Sequence, residues 1–210
     1  EACGQCHRRG DVTEIDASDG FIKHHEQYEE LFESKKRVMD CVDCHDPHKT
    51  TKYADKGEAI KTACENCHFK QAEYKKIKYI RHGGDCINCH MPKVTKSALG
   101  DPERYTGDVR THLMAINPLS TSQFGDDGTT SQPYLSLDFA CKSCHNENNS
   151  GGVISDELLS EAAIGYHDRE LSDSVSKGDF KDRQETEAED AETDEAETDE
   201  AAEENTENSN

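Results

Sequence analysis

The chain has 210 residues, of which 32% are hydrophobic, and it contains no Trp. An ordinary domain of this length with so few apolar side chains could not bury a convincing hydrophobic core. The formal net charge of −21 argues against a nucleic-acid partner, because the phosphate backbone repels an acidic surface. A basic protein, a cation or a mineral surface fits this charge better.

The chain begins with the pentapeptide at residues 3–7, Cys-Gly-Gln-Cys-His, followed by a polar loop. Ser18 or Asp19 is a suitable N-cap, and aromatic residues and a His recur after it at helical spacing. The pattern predicts an amphipathic helix over residues 20–39, with one face formed by Phe21, His25, Tyr28 and Phe32.

The middle of the chain holds three more such pentapeptides, at residues 41–45, 64–68 and 86–90. Apolar spacing predicts a helix over residues 55–82 that contains the middle one, and two glycines at 83–84 end it. Its Lys75, Lys76, Lys78 and Arg81 form a basic strip, which is either a solvated helix face or a contact for an acidic partner.

Residues 91–140 contain four prolines and are predicted to be loops, leading into a fifth pentapeptide at residues 141–145. Ser155 or Asp156 caps a last predicted helix over residues 155–170. Beyond it the sequence is acidic and repetitive, with fourteen acidic and two basic residues in 181–210. Such composition predicts disorder, so we expect a folded domain over 1–171 and an acidic tail over 172–210.

The five pentapeptides share the form C-x-x-C-H and together use all ten cysteines. We number them first to fifth in chain order. This form is the attachment signature of c-type haem, in which two thiols bond to the porphyrin and the His binds iron. The sequence predicts five covalent haems, with these thiols: Cys3, Cys6, Cys41, Cys44, Cys64, Cys67, Cys86, Cys89, Cys141 and Cys144. The predicted proximal iron ligands are His7, His45, His68, His90 and His145.

Zinc binding and disulfide chemistry also use C-x-x-C pairs, but both fit this chain less well. A four-thiolate zinc site takes two pairs, so five pairs would leave one over. Thioredoxin-like disulfide chemistry accounts for a pair of cysteines. Neither accounts for a His directly after every second Cys.

Six further histidines are available as second, distal iron ligands: His24, His25, His48, His82, His112 and His167. Five haems with two His each need five of them, and we expect the spare to be one of the adjacent pair, with His25 as the ligand. Met39 and Met114 are alternatives that nothing selects. Because two axial His close an iron to substrate, the composition predicts an electron carrier that is not an enzyme.

Haem also changes the expected fold. Each porphyrin supplies a large apolar face, so we expect folding to depend on it, as metal-dependent domains depend on their ion. The predicted fold class is mainly α with extensive loops and little β, around a haem-packed core in place of a conventional hydrophobic one.

These motifs resemble the multihaem cytochrome c superfamily over residues 3–167. Residues 41–48 are similar to its C-x-x-C-H-D-P-H element, whose last His commonly ligates another haem, and residues 109–112 resemble a distal-ligand segment. Residues 86–92 resemble an element of cytochrome c nitrite reductases. Those enzymes are much longer, and many carry a C-x-x-C-K haem that is absent here; a reductase, or an electron-donating subunit of one, is the alternative function.

The resemblance leaves two electron-transfer roles open: a subunit of an extracellular filament, with a His ligating a haem of the next subunit, or a soluble shuttle. No apolar run is long enough to predict a membrane span. Haem attachment in this class takes place outside the cytoplasm, so we expect a periplasmic, cell-surface or extracellular protein whose signal peptide has been removed. The expected partners are redox proteins or an extracellular electron acceptor, and in a filament further copies of the chain.

Overall fold

A computed structural model describes residues 2–24, 26–51, 56–72, 85–149 and 151–168. All of these belong to one compact unit that spans Glu1–Arg169. The predicted acidic tail, the basic strip, the Gly pair at 83–84, His25 and His82 lie outside the described residues. No helix within the described ranges is long and apolar enough to cross a membrane.

The described residues form short helices joined by long loops, with little β-structure. The α-helices are α1 Gln27–Glu33, α2 Cys41–Cys44, α3 Lys56–Ala59, α4 Cys86–His90 and α5 Asp156–Ala163. The 3-10 helices include Cys3–Gln5, Cys64–Asn66, Pro102–Arg104 and Tyr166–Asp168, and Asp138–Lys142 forms a π-helical turn. The predicted mainly helical, loop-rich fold agrees with this architecture.

The helix predicted over residues 20–39 is correct only in its middle, because α1 spans Gln27–Glu33 and residues 34–39 form turns. Asp19 and Gly20 have φ of 54° and 76° and form the two-residue turn of a hairpin between β1 Ala17–Ser18 and β2 Phe21–Lys23. Asp-Gly is a strong signal for such a turn, so neither Ser18 nor Asp19 caps a helix. The helix itself begins only at Gln27, and Tyr28 stacks on Phe32 one turn later.

The hairpin is extended by β3 Thr95–Lys96, which pairs in parallel with β2. Ile22 is the Cα partner of Thr95, so residues more than seventy positions apart in the sequence meet in one small sheet. This pairing brings the loop that follows the fourth motif against the N-terminal hairpin.

The long helix predicted over 55–82 is also wrong in its described part. Within residues 56–72 the helical parts are α3, the 3-10 turn Cys64–Asn66 and the 3-10 residues 71–72. An isolated bridge between Ile60 and His45 separates the first two. The loops predicted over 91–140 are confirmed, apart from β3, a 3-10 turn and the start of the π-helical turn. The last predicted helix is shorter than expected, but its cap is correct: the Ser155 hydroxyl accepts a hydrogen bond from the Leu158 N–H.

A conventional apolar cluster exists, although a haem-packed core was expected in place of one. Phe139 is at its centre and makes edge-to-face contacts with three aromatic rings, those of Phe21, Tyr105 and Phe124. The buried members are Ile15, Phe21, Ile22, Val94, Leu113, Leu135, Phe139 and Ala140. The cluster is continuous with two predicted sites, because Phe139 lies two residues before Cys141 and Leu113 follows His112 directly.

Candidate haem-binding sites

Each predicted attachment motif forms a tight turn that brings its parts together. In the second motif, Asp40 caps α2 in a reciprocal capping box with Asp43. In every motif the backbone N–H of the His or of the residue after it closes a helical hydrogen bond; in the first and third, for example, the N–H of His7 and His68 donates to the carbonyl of Cys3 and Cys64. The local sequence therefore sets the relative positions of the two thiols and the proximal His.

Several of the ten cysteines lie beside a cysteine of a neighbouring motif. Burial raises the pKa of the Cys41 thiol, helped by the charge of Cys3, to which it also hydrogen-bonds. Burial and Asp43, with Cys67, raise the pKa of Cys44. The second motif thus lies between the first and the third.

The same succession continues through the fourth and fifth motifs. Burial lowers the pKa of His68, with further contributions from Lys36 and His90, so the third motif lies near the fourth. Burial raises the pKa of Cys89, as does the charge of Cys144, which places the fourth motif beside the fifth. Each motif lies beside the next one in chain order.

Two proximal histidines face two of the predicted distal ones. The ring centroids of His45 and His112 are 6.2 Å apart, and those of His90 and His167 are 5.9 Å apart. An ion bound between two imidazoles, with a metal–nitrogen distance of about 2 Å, separates the ring centroids by about 6 Å. Both pairs therefore have the spacing that two axial ligands of one iron require.

Hydrogen bonds orient two of the proximal imidazoles for this role. The Nδ1 atom of His90 lies 2.7 Å from the Met114 carbonyl oxygen, and Nδ1 of His145 lies 3.1 Å from the Gly151 carbonyl oxygen. When Nδ1 donates to a carbonyl, Nε2 is left deprotonated and ready to bind a metal.

The charge state of the paired histidines also fits iron ligation, which needs neutral imidazole. Burial, with repulsion from His45 and His7, lowers the pKa of His112 to about 4. Burial and His7 likewise lower the pKa of His45, and burial and His90 lower that of His167. Burial therefore favours the neutral, metal-binding form at these three rings.

Open space lies next to the first and fifth motifs. A cavity of about 450 Å³ is lined by Gly4, Gln5, Arg8 and Tyr28. Another of about 390 Å³ reaches His145 and includes Tyr105, Val153 and Ile154 in its lining. The chain thus leaves room for a large group against the first motif, at Gly4 and Gln5 between its two cysteines, and against the proximal His of the fifth, so the residues present there fit haem c.

The predicted distal ligands that remain have other surroundings. The Nε2 atom of His24 lies 2.9 Å from the Arg9 guanidinium. His48 is exposed, and its backbone N–H donates to Asp46 within a turn. The structure brings neither against a proximal ring among the contacts it describes, so these two assignments stay predictions.

Sequence reasoning missed three residues that hold the sites together. Glu29 and Glu30 of α1 are fully buried. Glu29 accepts hydrogen bonds from the backbone N–H groups of Arg9 and Gly10, just after the first motif. Nothing in the sequence distinguishes these two carboxylates from Glu33, the other acidic residue of α1.

Glu30 supports His112. It accepts hydrogen bonds from the hydroxyls of Thr95 and Thr111 and from the backbone N–H of His112. Burial outweighs these bonds and raises the pKa of Glu30 to about 7. The third missed residue, Arg110, donates to the carbonyls of Ile87 and Met91 in and after α4.

The family described as "Doubled CXXCH motif" matches residues 35–73, which contain the second and third motifs. No curated protein matches the chain in sequence. Among solved structures, the Wolinella succinogenes octahaem sulfite reductase MccA is similar, with a TM-score of 0.50 and 15% sequence identity over 83% of this chain. The chain spans about a third of the length of that protein, with 35% of it covered.

The motif match indicates covalently bound haem c within residues 35–73, and the fold is shared with part of a multihaem protein. They also correct one expectation. The prediction that the chain is not an enzyme is overturned, because the fold is shared with part of a multihaem sulfite reductase, which is an enzyme.

Proposed function

We propose that the chain carries electrons through five covalently bound c-type haems, each iron held by two His. The observation that carries this proposal is the spacing of the two imidazole pairs, 6.2 Å for His45 and His112 and 5.9 Å for His90 and His167. Five motifs that follow one another in space also favour a continuous row of redox centres.

The residues of the chain have distinct parts in this function. The ten thiols would hold the cofactors covalently, and a proximal and a distal His would supply the nitrogen ligands of each iron. When bound, haem c supplies an iron that changes between the ferric and ferrous states. The chain sets the spacing of the centres and, through axial ligand and burial, their potentials.

The other three irons need distal ligands from the remaining histidines. We assign these to His48, His82 and one of His24 and His25, with His25 preferred, or to a His from a second copy of the chain. Each assignment can be tested separately, because replacing the true ligand changes the spectrum of one haem and leaves the spectra of the other four unchanged.

A reductase-like role, as an enzyme or as its electron-donating subunit, is the second candidate. The similarity to the octahaem sulfite reductase favours it. It requires at least one iron with an open axial position in the folded protein.

We further propose that the protein works outside the cytoplasm, with a redox protein or an extracellular acceptor as partner. Two forms follow from the sequence, a filament subunit and a soluble shuttle. Electron microscopy and light scattering of concentrated holoprotein separate them: fibres support the first, and a monodisperse monomer supports the second.

Two measurements on the purified holoprotein test the main proposal. Intact mass is expected to show five haem additions, and any other number contradicts the count. Electron paramagnetic resonance of the oxidised protein is expected to show low-spin iron with two His ligands. A high-spin component that responds to sulfite or nitrite would favour the reductase-like role.

A further inference from the structure

We infer that residues 110–114, here named the 110–114 segment, fix the axial ligands of two different haems, and that Arg110 is a positioning residue for both. The inference rests on the proposed function, since it concerns the haems of the second and fourth motifs. It predicts that a change at one side chain alters two redox centres.

At the N-terminal end of the segment, Arg110 contacts the fourth motif. One nitrogen of the Arg110 guanidinium donates to the carbonyl oxygens of Ile87, at 2.9 Å, and Met91, at 2.8 Å. The other lies 3.3 Å from Oδ1 of Asn88. A planar, charged fork suits this arrangement, and a cation is favourable at the C-terminal end of a helix. Arg110 therefore anchors the turn that carries Cys86, Cys89 and His90.

The other end of the segment orients the proximal ligand of the same haem. Met114 has φ of 59°, a left-handed conformation that is unfavourable for a residue with a side chain. The Ala115 N–H donates to the Leu113 carbonyl across it, which makes a tight three-residue turn. The Met114 carbonyl oxygen lies 2.7 Å from Nδ1 of His90. Strain of this kind persists where the surroundings impose it, and here it accompanies the hydrogen bond to an iron ligand.

Between these two ends the segment supplies His112, which lies next to the proximal His of the second motif. His112 faces His45 with 6.2 Å between ring centroids. Glu30 accepts hydrogen bonds from the backbone N–H of His112 and from the Thr111 hydroxyl. Leu113 is fully buried in the apolar cluster. Because only Thr111 separates Arg110 from His112, we expect a displacement of the Arg110 backbone to be passed on to His112.

The test is Arg110→Gln in the full-length holoprotein, studied by electron paramagnetic resonance and by spectroscopic redox titration. We expect shifts in the g-values and midpoint potentials of two haems, with the others unchanged. His112→Ala and His167→Ala identify the signals of the second and fourth haems. Arg104→Gln is the matched control, because its guanidinium makes an exposed ion pair with Asp101, and no haem signal is expected to change.

Arg110→Lys separates charge from shape, because Lys keeps the charge but not the planar fork. It is expected to shift the same two signals by smaller amounts, and it serves as the test if the Gln variant does not fold. A shift confined to the fourth haem, or no shift, overturns the inference. A wild-type protein without haem, or without low-spin iron, would instead contradict the proposed function.

Discussion

The buried carboxylate of Glu30 accepts a hydrogen bond from the backbone N–H of His112, 82 residues further along the chain. The same oxygen accepts from the Thr111 hydroxyl, and the other accepts from Thr95. One side chain of α1 thereby joins the N-terminal helix, strand β3 and the loop that supplies a distal ligand. The position of His112 depends on this contact.

Replacing Glu30 with Ala is expected to destabilise the protein and to release His112. Three buried donors lose their acceptor, and leaving such groups unpaired costs about 1–3 kcal/mol each. We expect a total loss of roughly 3 kcal/mol and a high-spin fraction at one haem, measured by urea unfolding and absorption spectroscopy. Glu33→Gln, on the same helix, is the control. Wild-type stability together with a fully low-spin spectrum would show that Glu30 does not hold the ligand.

The sequence was sufficient to predict local structure that depends only on neighbouring residues. The C-x-x-C-H turns, the Ser155 cap and the proline-rich loops are all determined within a few positions. The hairpin could also have been predicted, because Asp19-Gly20 signals its turn, but the spacing of Phe21, Tyr28 and Phe32 favoured a helix. The buried sheet overrode that periodicity by taking Phe21 and Ile22 into the apolar cluster.

The sequence could not reveal relationships between distant residues. It provides six candidate distal His but contains no information on which proximal ring each one faces. The partnership of His112 with His45 depends on Glu30 and on the pairing of β2 with β3, both long-range contacts. The role of Arg110 is likewise visible only once α4 is placed beside it.

Replacing His167 is expected to open one iron. With Ala, the iron of the fourth motif loses the ring that faces His90 at 5.9 Å. We expect one haem to become high-spin and to bind cyanide, while the others stay low-spin. His167→Met should keep that haem low-spin and raise its midpoint potential, since Met ligation favours the reduced state. Glu157→Gln, exposed on α5, should change neither property, and a His167→Ala protein without high-spin iron would exclude the assignment.

Gly151→Ala is expected to disturb the fifth site alone. A Cβ atom there would lie 2.3 Å from the Cys144 carbonyl oxygen and 2.9 Å from Nδ1 of His145, so the backbone must move away. The hydrogen bond from His145 to the Gly151 carbonyl is then lost. Without it the imidazole donates less electron density to the iron, which raises the midpoint potential of one haem. Spectroscopic redox titration measures the shift.

Gly10→Ala is the matched control for that substitution, because no atom lies within 4 Å of the Cβ it would add. Its redox titration should overlay that of the wild type. If Gly151→Ala leaves all five potentials unchanged, the Gly151 carbonyl is not a determinant of the fifth site.

Lys142 joins the π-helical turn that runs into the fifth motif to α5, and this link is expected to weaken at high pH. Its ammonium lies 2.7 Å from Asp156 and 3.6 Å from Asp138. Burial lowers the pKa of Lys142, but the hydrogen bond to Asp156 and the charge of Asp138 outweigh it, so the pKa rises above its usual value of 10.5. A Lys whose pKa is higher in the folded state stabilises that state below the unfolded pKa. The contribution is lost as the pH rises through the folded value.

Lys142→Met should therefore lower the free energy of unfolding by roughly 1 kcal/mol at neutral pH, the upper end for a partly exposed ion pair. The difference from wild type should stay constant up to about pH 10 and shrink above it. Urea unfolding of both holoproteins across that range measures it. Lys23→Met, which breaks the more exposed pair with Asp16 at 3.2 Å, should cost less. A Lys142→Met deficit that grows with rising pH would contradict the sign of this argument.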